Sequence, residues 1–337
     1  MRGKDVPKMV GMMGKRARQW MRRIGLGMLM SMLAACATAP AAVSIPRSED
    51  LPVVNSKTGE AYRLLIWRPA SPPPPDGWPV VYLLDANSVF GMVTDIMNSR
   101  SESVGKTGVR PAVVVGIAYP TDAAYDLTRR TRDLTPSVDP QTLPMRPNGQ
   151  PWSETGGADE FLRFLHQQVK PLVAARLPVN PQQDVLMGHS FGGLFTLHTL
   201  LSHPDAFHSY VAGSPSLWFG NGALLQQAKA VVTSSTTDST GRRVLMVTGG
   251  DEERLTATEQ AQPDAARRLA WKQGNRMLGN AQEMRTLLAA LPGLAVDYRE
   301  HPGLDHGSVV PMYLYDGLMF ALSPTSPAAT GTASAPR

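Results

Sequence analysis

The sequence predicts an α/β fold, with a mostly parallel central sheet covered by helices on both faces. Three observations predict it. Short apolar runs of strand length recur along the chain, segments with helical spacing separate them, and a glycine-rich turn, Gly188-His189-Ser190-Phe191-Gly192, joins a strand to a helix near the middle. Strands that alternate with helices pair in parallel through crossover connections and leave their carboxyl ends free for ligands.

Taken in order, residues 62–67 and 80–84 read as strands separated by the turn Pro72-Pro73-Pro74-Pro75-Asp76-Gly77. Residues 112–117, with three consecutive valines, form another. Phe161, Leu162, Phe164, Leu165, Val169, Leu172 and Val173 recur at helical spacing. Residues 184–187 are a short apolar strand before the glycine-rich turn, and 193–201 have the composition of a buried helix. Strands at 209–212 and 244–247 come next, then a long helix over 265–291, a last strand at 295–298 and a closing helix over 309–322. No internal repeat is visible. At 337 residues the chain has room for two domains, but α/β folds often exceed 250 residues as one. One domain over residues 51–322 is expected.

The formal charge of +5 suggests a polyanion partner, but its distribution excludes one. Residues 1–35 carry eight basic side chains against Asp5 alone, and the remaining chain is net −2. The leader is read as an export signal: a basic segment ending at Arg22-Arg23, an apolar stretch too short to span a bilayer, then Leu33-Ala34-Ala35-Cys36. Leu-Ala-Ala-Cys resembles the lipobox of bacterial lipoproteins, which implies cleavage after residue 35 and a lipid anchor on Cys36. Cys36 is the only cysteine, so no internal disulfide forms. Residues 36–50 are expected to be a tether and 323–337 a disordered tail. The expected location is the periplasmic side of the envelope. Ala37, not Asp, after the cysteine favours the outer membrane, and Met21 is an alternative start to Met1.

The turn at Ser190 fits a nucleophile elbow, in which a strand, a tight turn and a helix lift a serine hydroxyl above the sheet. A serine hydroxyl is a poor nucleophile at neutral pH, so it needs a histidine as base and a carboxylate to orient that base. In this arrangement the chain order is Ser, acid, His. The loop after strand 244–247 contains Asp251-Glu252-Glu253. After the last strand comes Pro302-Gly303-Leu304-Asp305-His306-Gly307-Ser308. Of seven histidines, His306 is the expected base and His301 its rival. His166, His198, His203 and His208 lie on helices or before the acid, and His189 is expected to point away from the groove. Among the acids, Glu253 and Asp251 both suit the loop, with Glu252 between them still open. Two backbone N–H groups must stabilise the oxyanion: Phe191 supplies one, and Ala86 or Asn87 the other. No cofactor is expected. Gly105-Lys106-Thr107 lacks the glycine of a phosphate loop at position 100, and no Cys/His spacing suggests a metal site.

Several segments resemble one family. They are Val81-Tyr82-Leu83-Leu84-Asp85-Ala86-Asn87, Gly116-Ile117-Ala118-Tyr119-Pro120, Arg129-Arg130-Thr131-Arg132-Asp133-Leu134-Thr135-Pro136, Gly156-Gly157-Ala158-Asp159-Glu160-Phe161-Leu162, the elbow, and Ser214-Pro215-Ser216-Leu217-Trp218. Together they are similar to the enterobactin-esterase-like branch of the α/β hydrolases, in that family's order over most of residues 53–320. The resemblance implies an α/β-hydrolase fold and a serine esterase of the cell envelope acting on a ferric catecholate trilactone siderophore. It also implies Glu253 as the acid, and Ala86 departs from the family's usual glycine. On this reading Arg129, Arg130 and Arg132, taken as one loop, meet the trianionic substrate, and Trp218 stacks on an aromatic acyl group. The partners expected are a small-molecule ester and, through Cys36, a membrane, with no nucleic acid. Two other functions fit the same residues: a carboxylesterase or acyltransferase for a feruloyl or acetyl ester, and a siderophore-binding lipoprotein without turnover.

Overall fold

Eight strands form one sheet in the order β1-β2-β4-β3-β5-β6-β7-β8 in the computed structural model, which describes residues 44–146, 149–234 and 238–323. They are β1 Ser48–Val54, β2 Ala61–Trp67, β3 Trp78–Leu83, β4 Val113–Ala118, β5 Val179–His189, β6 Ser209–Gly213, β7 Arg243–Gly249 and β8 Ala295–His301. The pairs β1–β2 and β2–β4 are antiparallel, and every pair from β4 to β8 is parallel. The leader, Cys36 and residues 324–337 lie outside the described residues, so the lipobox and tail readings find no structural counterpart.

The helices longer than one turn are α1 Ala86–Ser101, α2 Leu127–Asp133, α3 Ala158–Phe164, which runs through a π turn into α4 Lys170–Arg176, α5 Phe191–Ser202, α6 Phe219–Ser234, α7 Ala265–Asn275, α8 Met277–Ala289 and α9 Val310–Leu322. Strands β3, β4 and β6 are buried along their whole length, as expected for parallel strands covered on both faces. Strand alternation divides the core accordingly. Val80 and Tyr82 join Leu194, Phe219 and Met284 on the face covered by α3 to α6 and α8. Val81 and Leu83 join Val89, Tyr313 and Leu318 on the face covered by α1 and α9.

Four departures from the sequence reading have physical causes. Strand β1 begins at Ser48, inside the stretch read as tether; it is a half-exposed edge that opens on three polar residues and carries a proline between Leu51 and Val53, tolerated there because an edge strand leaves N–H groups free. Helix α1 was hidden by its Asn, Ser and Gly content, although Val89, Phe90, Val93 and Met97 make a buried stripe. The expected helix over 265–291 breaks at Arg276, whose φ of 46° is left-handed. The arginine cluster lies on α2, not on a loop, and Asp126 caps that helix by accepting the Arg129 N–H at 3.0 Å.

The strand order reverses direction of growth between β3 and β5. At such a switch point the loops leaving adjacent strands turn to opposite faces and open a crevice at the carboxyl edge. The segment after β3 is Asp85-Ala86-Asn87, and the residue after β5 is Ser190. The topology therefore sets the two expected halves of an oxyanion site side by side.

Candidate active site

Ser190 sits between β5 and α5 with φ 61° and ψ −115°, a conformation that costs a non-glycine residue roughly 1–3 kcal/mol. The surroundings enforce it. The Ser190 N–H donates to the Gly213 carbonyl at 2.8 Å, and a side chain at Gly188 would run into the Gly192 carbonyl. The strained turn aims the hydroxyl at His306, with Oγ 3.0 Å from Nε2. With its proton on Nδ1, the imidazole donates to Glu252 Oε2 at 2.8 Å. Glu252 is 2 % exposed, and its other oxygen accepts the Gly249 N–H at 2.8 Å and the Ser214 hydroxyl at 2.5 Å. A buried carboxylate that accepts three hydrogen bonds is fixed in place and fixes the tautomer of its histidine.

This corrects the expected acid. Glu253 points the other way and accepts the Leu278 N–H at 2.9 Å, capping the start of α8. Asp251 lies at the surface and pairs with Arg254 at 3.1 Å. Three adjacent acids on one turn point in three directions, and sequence distance from Gly250 does not say which one turns inward. His306 is the histidine at the serine, as expected. Its rival His301 is held by Asp316 at 2.8 Å. Asp305 steadies the His306 loop by accepting the N–H groups of Gly307 and Ser308 at 3.1 and 2.8 Å. His189, expected to point away, instead packs its ring 4.7 Å from that of His306. Burial, then the neighbouring His306 and Arg130, pushes the His189 pKa well below the ordinary imidazole range, so it stays neutral beside the base.

The other half of the crevice starts at Asp85, left-handed at φ 53°, which turns the chain sharply from β3 into α1. Phe191 and Ala86 are the first residues of α5 and α1, where backbone N–H groups have no acceptor within the helix. Two helix N-termini therefore face one crevice, a favourable setting for an oxyanion. The Asn87 side chain takes no part in this; it accepts from the Tyr119 N–H at 2.8 Å and donates to the Tyr119 and Thr121 carbonyls, both at 2.9 Å. Ala86 in place of the resembling family's glycine is accommodated by Gly116, where an added Cβ would come within 2.6 Å of the Ala86 methyl.

The arginines are engaged internally, contrary to the expectation that all three face substrate. Arg129 donates to the Ala61 carbonyl at 2.7 Å and lies over the Tyr62 ring, while Arg132 pairs with Glu60 and Asp133. Neither faces the crevice. Arg130 does, but both arms of its guanidinium are held by Asp85, at 2.9 and 2.8 Å, and both residues are buried. It ties α2 to the oxyanion turn. Trp218 lines the crevice, as expected, and it is not alone: Trp271 lies 5.4 Å and Trp152 5.6 Å from it, ring centre to ring centre. Ser216, which no sequence pattern singles out, sets its hydroxyl 3.3 Å from that of Ser190. Among the described residues no cluster of three or more His, Cys, Asp or Glu side chains is arranged to hold a metal.

Residues 56–286 match the family described as putative esterase. The chain is 35 % identical over 288 residues to the ferri-bacillibactin esterase BesA of Bacillus subtilis, covering 85 % of this chain and 93 % of that one. The chain belongs to this esterase family. A second relative, the siderophore enterobactin esterase of Emericella nidulans, is 36 % identical over 71 % of this chain and 80 % of its own length. Among solved structures, the BES protein from Bacillus cereus superposes with a TM-score of 0.73 at 29 % identity, over 85 % of this chain and all of that one. The siderophore hydrolase EstB from Aspergillus nidulans gives 0.72 at 30 %, over 84 % and 98 %. The fold of the esterase is accordingly an α/β-hydrolase fold, and Ser190 occupies its elbow.

Proposed function

We propose that the esterase hydrolyses the ester bonds of a catecholate trilactone siderophore through Ser190, His306 and Glu252. The observation that carries the reading is the unbroken contact from serine to imidazole to buried carboxylate, in a chain similar over most of its length to proteins named as siderophore esterases. Ser190 Oγ attacks the ester carbonyl as His306 Nε2 takes its proton. Glu252 stabilises the imidazolium, and the amides of Phe191 and the Ala86-Asn87 turn meet the oxyanion. The imidazolium returns the proton to the leaving alkoxide, and water repeats the sequence to free the acid. A fluorophosphonate probe should label the wild type and not Ser190→Ala. Wild-type protein should open enterobactin faster than it cleaves p-nitrophenyl butyrate. Labelling without trilactone turnover would favour a general carboxylesterase; no labelling would overturn the enzyme.

We infer from the leader that the mature chain begins at Cys36 and is held by lipid on the periplasmic side of the envelope, in the outer membrane. Support comes from the sequence alone. Metabolic labelling with an alkynyl fatty acid should mark the wild type and not Cys36→Ala; equal labelling of both would refute it.

A further inference from the structure

We propose that the esterase holds its substrate astride Ser190, with one aryl-amide arm in each of two separate cavities. The inference rests on the trilactone reading above. In a trilactone of N-aroylserine, the carbonyl carbon of each ester belongs to one serine and the oxygen to the next. Every scissile bond therefore carries an aryl arm on both sides.

Among the described residues, Ser190 and His306 line both cavities and no other residue does. The first, about 290 Å³, runs over the sheet face covered by α5, α6 and α8, between Trp218, Trp271 and Met277. The second, about 470 Å³, opens over the face covered by α1 and α9, between Met92, Tyr125, Leu127 and Pro311. Pockets for whole drug-sized ligands run from roughly 300 to 1,000 Å³; the first cavity lies at the foot of that range and the second in its lower half, so each has room for one arm. Each joins apolar walls to cations already neutralised: Lys272 with Glu259 at 2.7 Å and Arg268 with Asp264 at 2.8 Å in the first, Arg130 with Asp85 at 2.8 Å in the second. Such linings suit aromatic rings with hydrogen-bonding substituents.

A second observation singles out the α1 side. Of the eight large hydrophobic residues exposed among the described residues, Met92 at 38 %, Tyr125 at 38 % and Leu127 at 63 % ring this one cavity. Clustered apolar exposure beside a nucleophile marks a surface that a ligand covers.

Three synthetic esters test the proposal: N-benzoylserine ethyl ester, armed on the acyl side; O-acetyl-N-benzoylserine amide, armed on the alcohol side; and the O-(N-benzoylseryl) ester of N-benzoylserine amide, armed on both. Wild-type kcat/KM for the two-armed ester should exceed that for either single-armed ester by about tenfold or more, the factor that covering one further ring supplies. Met92→Trp and, independently, Leu127→Trp fill the second cavity from exposed positions. Each should lower kcat/KM about tenfold for the two-armed ester and for one single-armed ester, changing their ratio to the other. Trp271→Ala should lower the complementary pair. A wild type with no two-armed advantage, or filling variants that lower all three esters equally, would overturn the proposal. If the benzoyl series behaves as expected and enterobactin is not opened, the siderophore reading fails while the straddled site stands.

Discussion

Replacing Glu252 with Gln removes one charge and almost no volume, and the three hydrogen bonds around the carboxylate set the cost. Glu252 accepts from the Gly249 N–H, the Ser214 hydroxyl and His306 Nδ1–H, with two donors on one oxygen and one on the other. A carboxamide has a single acceptor oxygen. Facing that oxygen toward Gly249 and Ser214 satisfies two donors and turns the NH₂ toward His306. The imidazole then avoids a donor–donor clash by moving its proton to Nε2, where it cannot accept the Ser190 proton. A triad histidine held in the wrong tautomer lowers kcat by about 10⁴. The expected loss for Glu252→Gln is therefore about 10³ to 10⁴ in kcat, with KM little changed. Glu253→Gln weakens a helix cap, costing about 1 kcal/mol of stability, and Asp251→Asn breaks an exposed ion pair; both should stay within about threefold in kcat, far from the loss expected of the triad acid. The assay is steady-state hydrolysis of a soluble ester, with circular dichroism melts to show that each variant is folded. A Glu252→Gln enzyme within about tenfold of wild type, or a loss of about 10³-fold in Glu253→Gln, would refute the assignment.

Three further outcomes rest on the same geometry. Arg130→Ala leaves the buried Asp85 without its partner, a change that typically costs about 3–5 kcal/mol, and frees the oxyanion turn; kcat should fall for small esters and siderophore alike, and a loss confined to the siderophore would restore a substrate-binding role. His301→Ala should lower the melting temperature and leave kcat within about threefold, since Asp316 keeps Arg299 at 2.8 Å. Burial lowers the pKa of His166 to about 4, so the unfolded chain takes up its proton first. The stability that neutral His166 confers is complete above about pH 6.5 and is lost as pH falls toward 4, by about 2 kcal/mol after allowance for partial exposure. His166→Phe should reduce the difference in melting temperature between pH 7 and pH 5, and an unchanged difference would show that His166 does not titrate in that window.

Most of the fold was legible because parallel strands buried on both faces must be continuous apolar runs, as residues 80–83 and 113–117 are. Edge strand β1 was not, because a strand with one partner and one wet face can be written Ser-Glu-Asp-Leu-Pro-Val-Val. Ser190 and His306 were legible from glycine spacing and chain order. Glu252 was not, because the choice among three consecutive acids rests on where the Gly249 amide and the Ser214 hydroxyl converge, and Ser214 lies 38 residues from Glu252 along the chain. The arginines misled for a related reason. The neighbouring Asp133 is visible in the sequence, but not that Glu60 and Asp85, far along the chain, fold back to meet Arg132 and Arg130.

The most direct test of trilactone hydrolysis by Ser190 is mass spectrometry of enterobactin incubated with wild type, Ser190→Ala and Glu252→Gln. Wild type should give linear trimer, a gain of one water, within minutes; Ser190→Ala should give none, and Glu252→Gln should form it about 10³-fold more slowly or worse. Intact trilactone after prolonged incubation with wild-type protein that still reacts with a fluorophosphonate would contradict the proposed function.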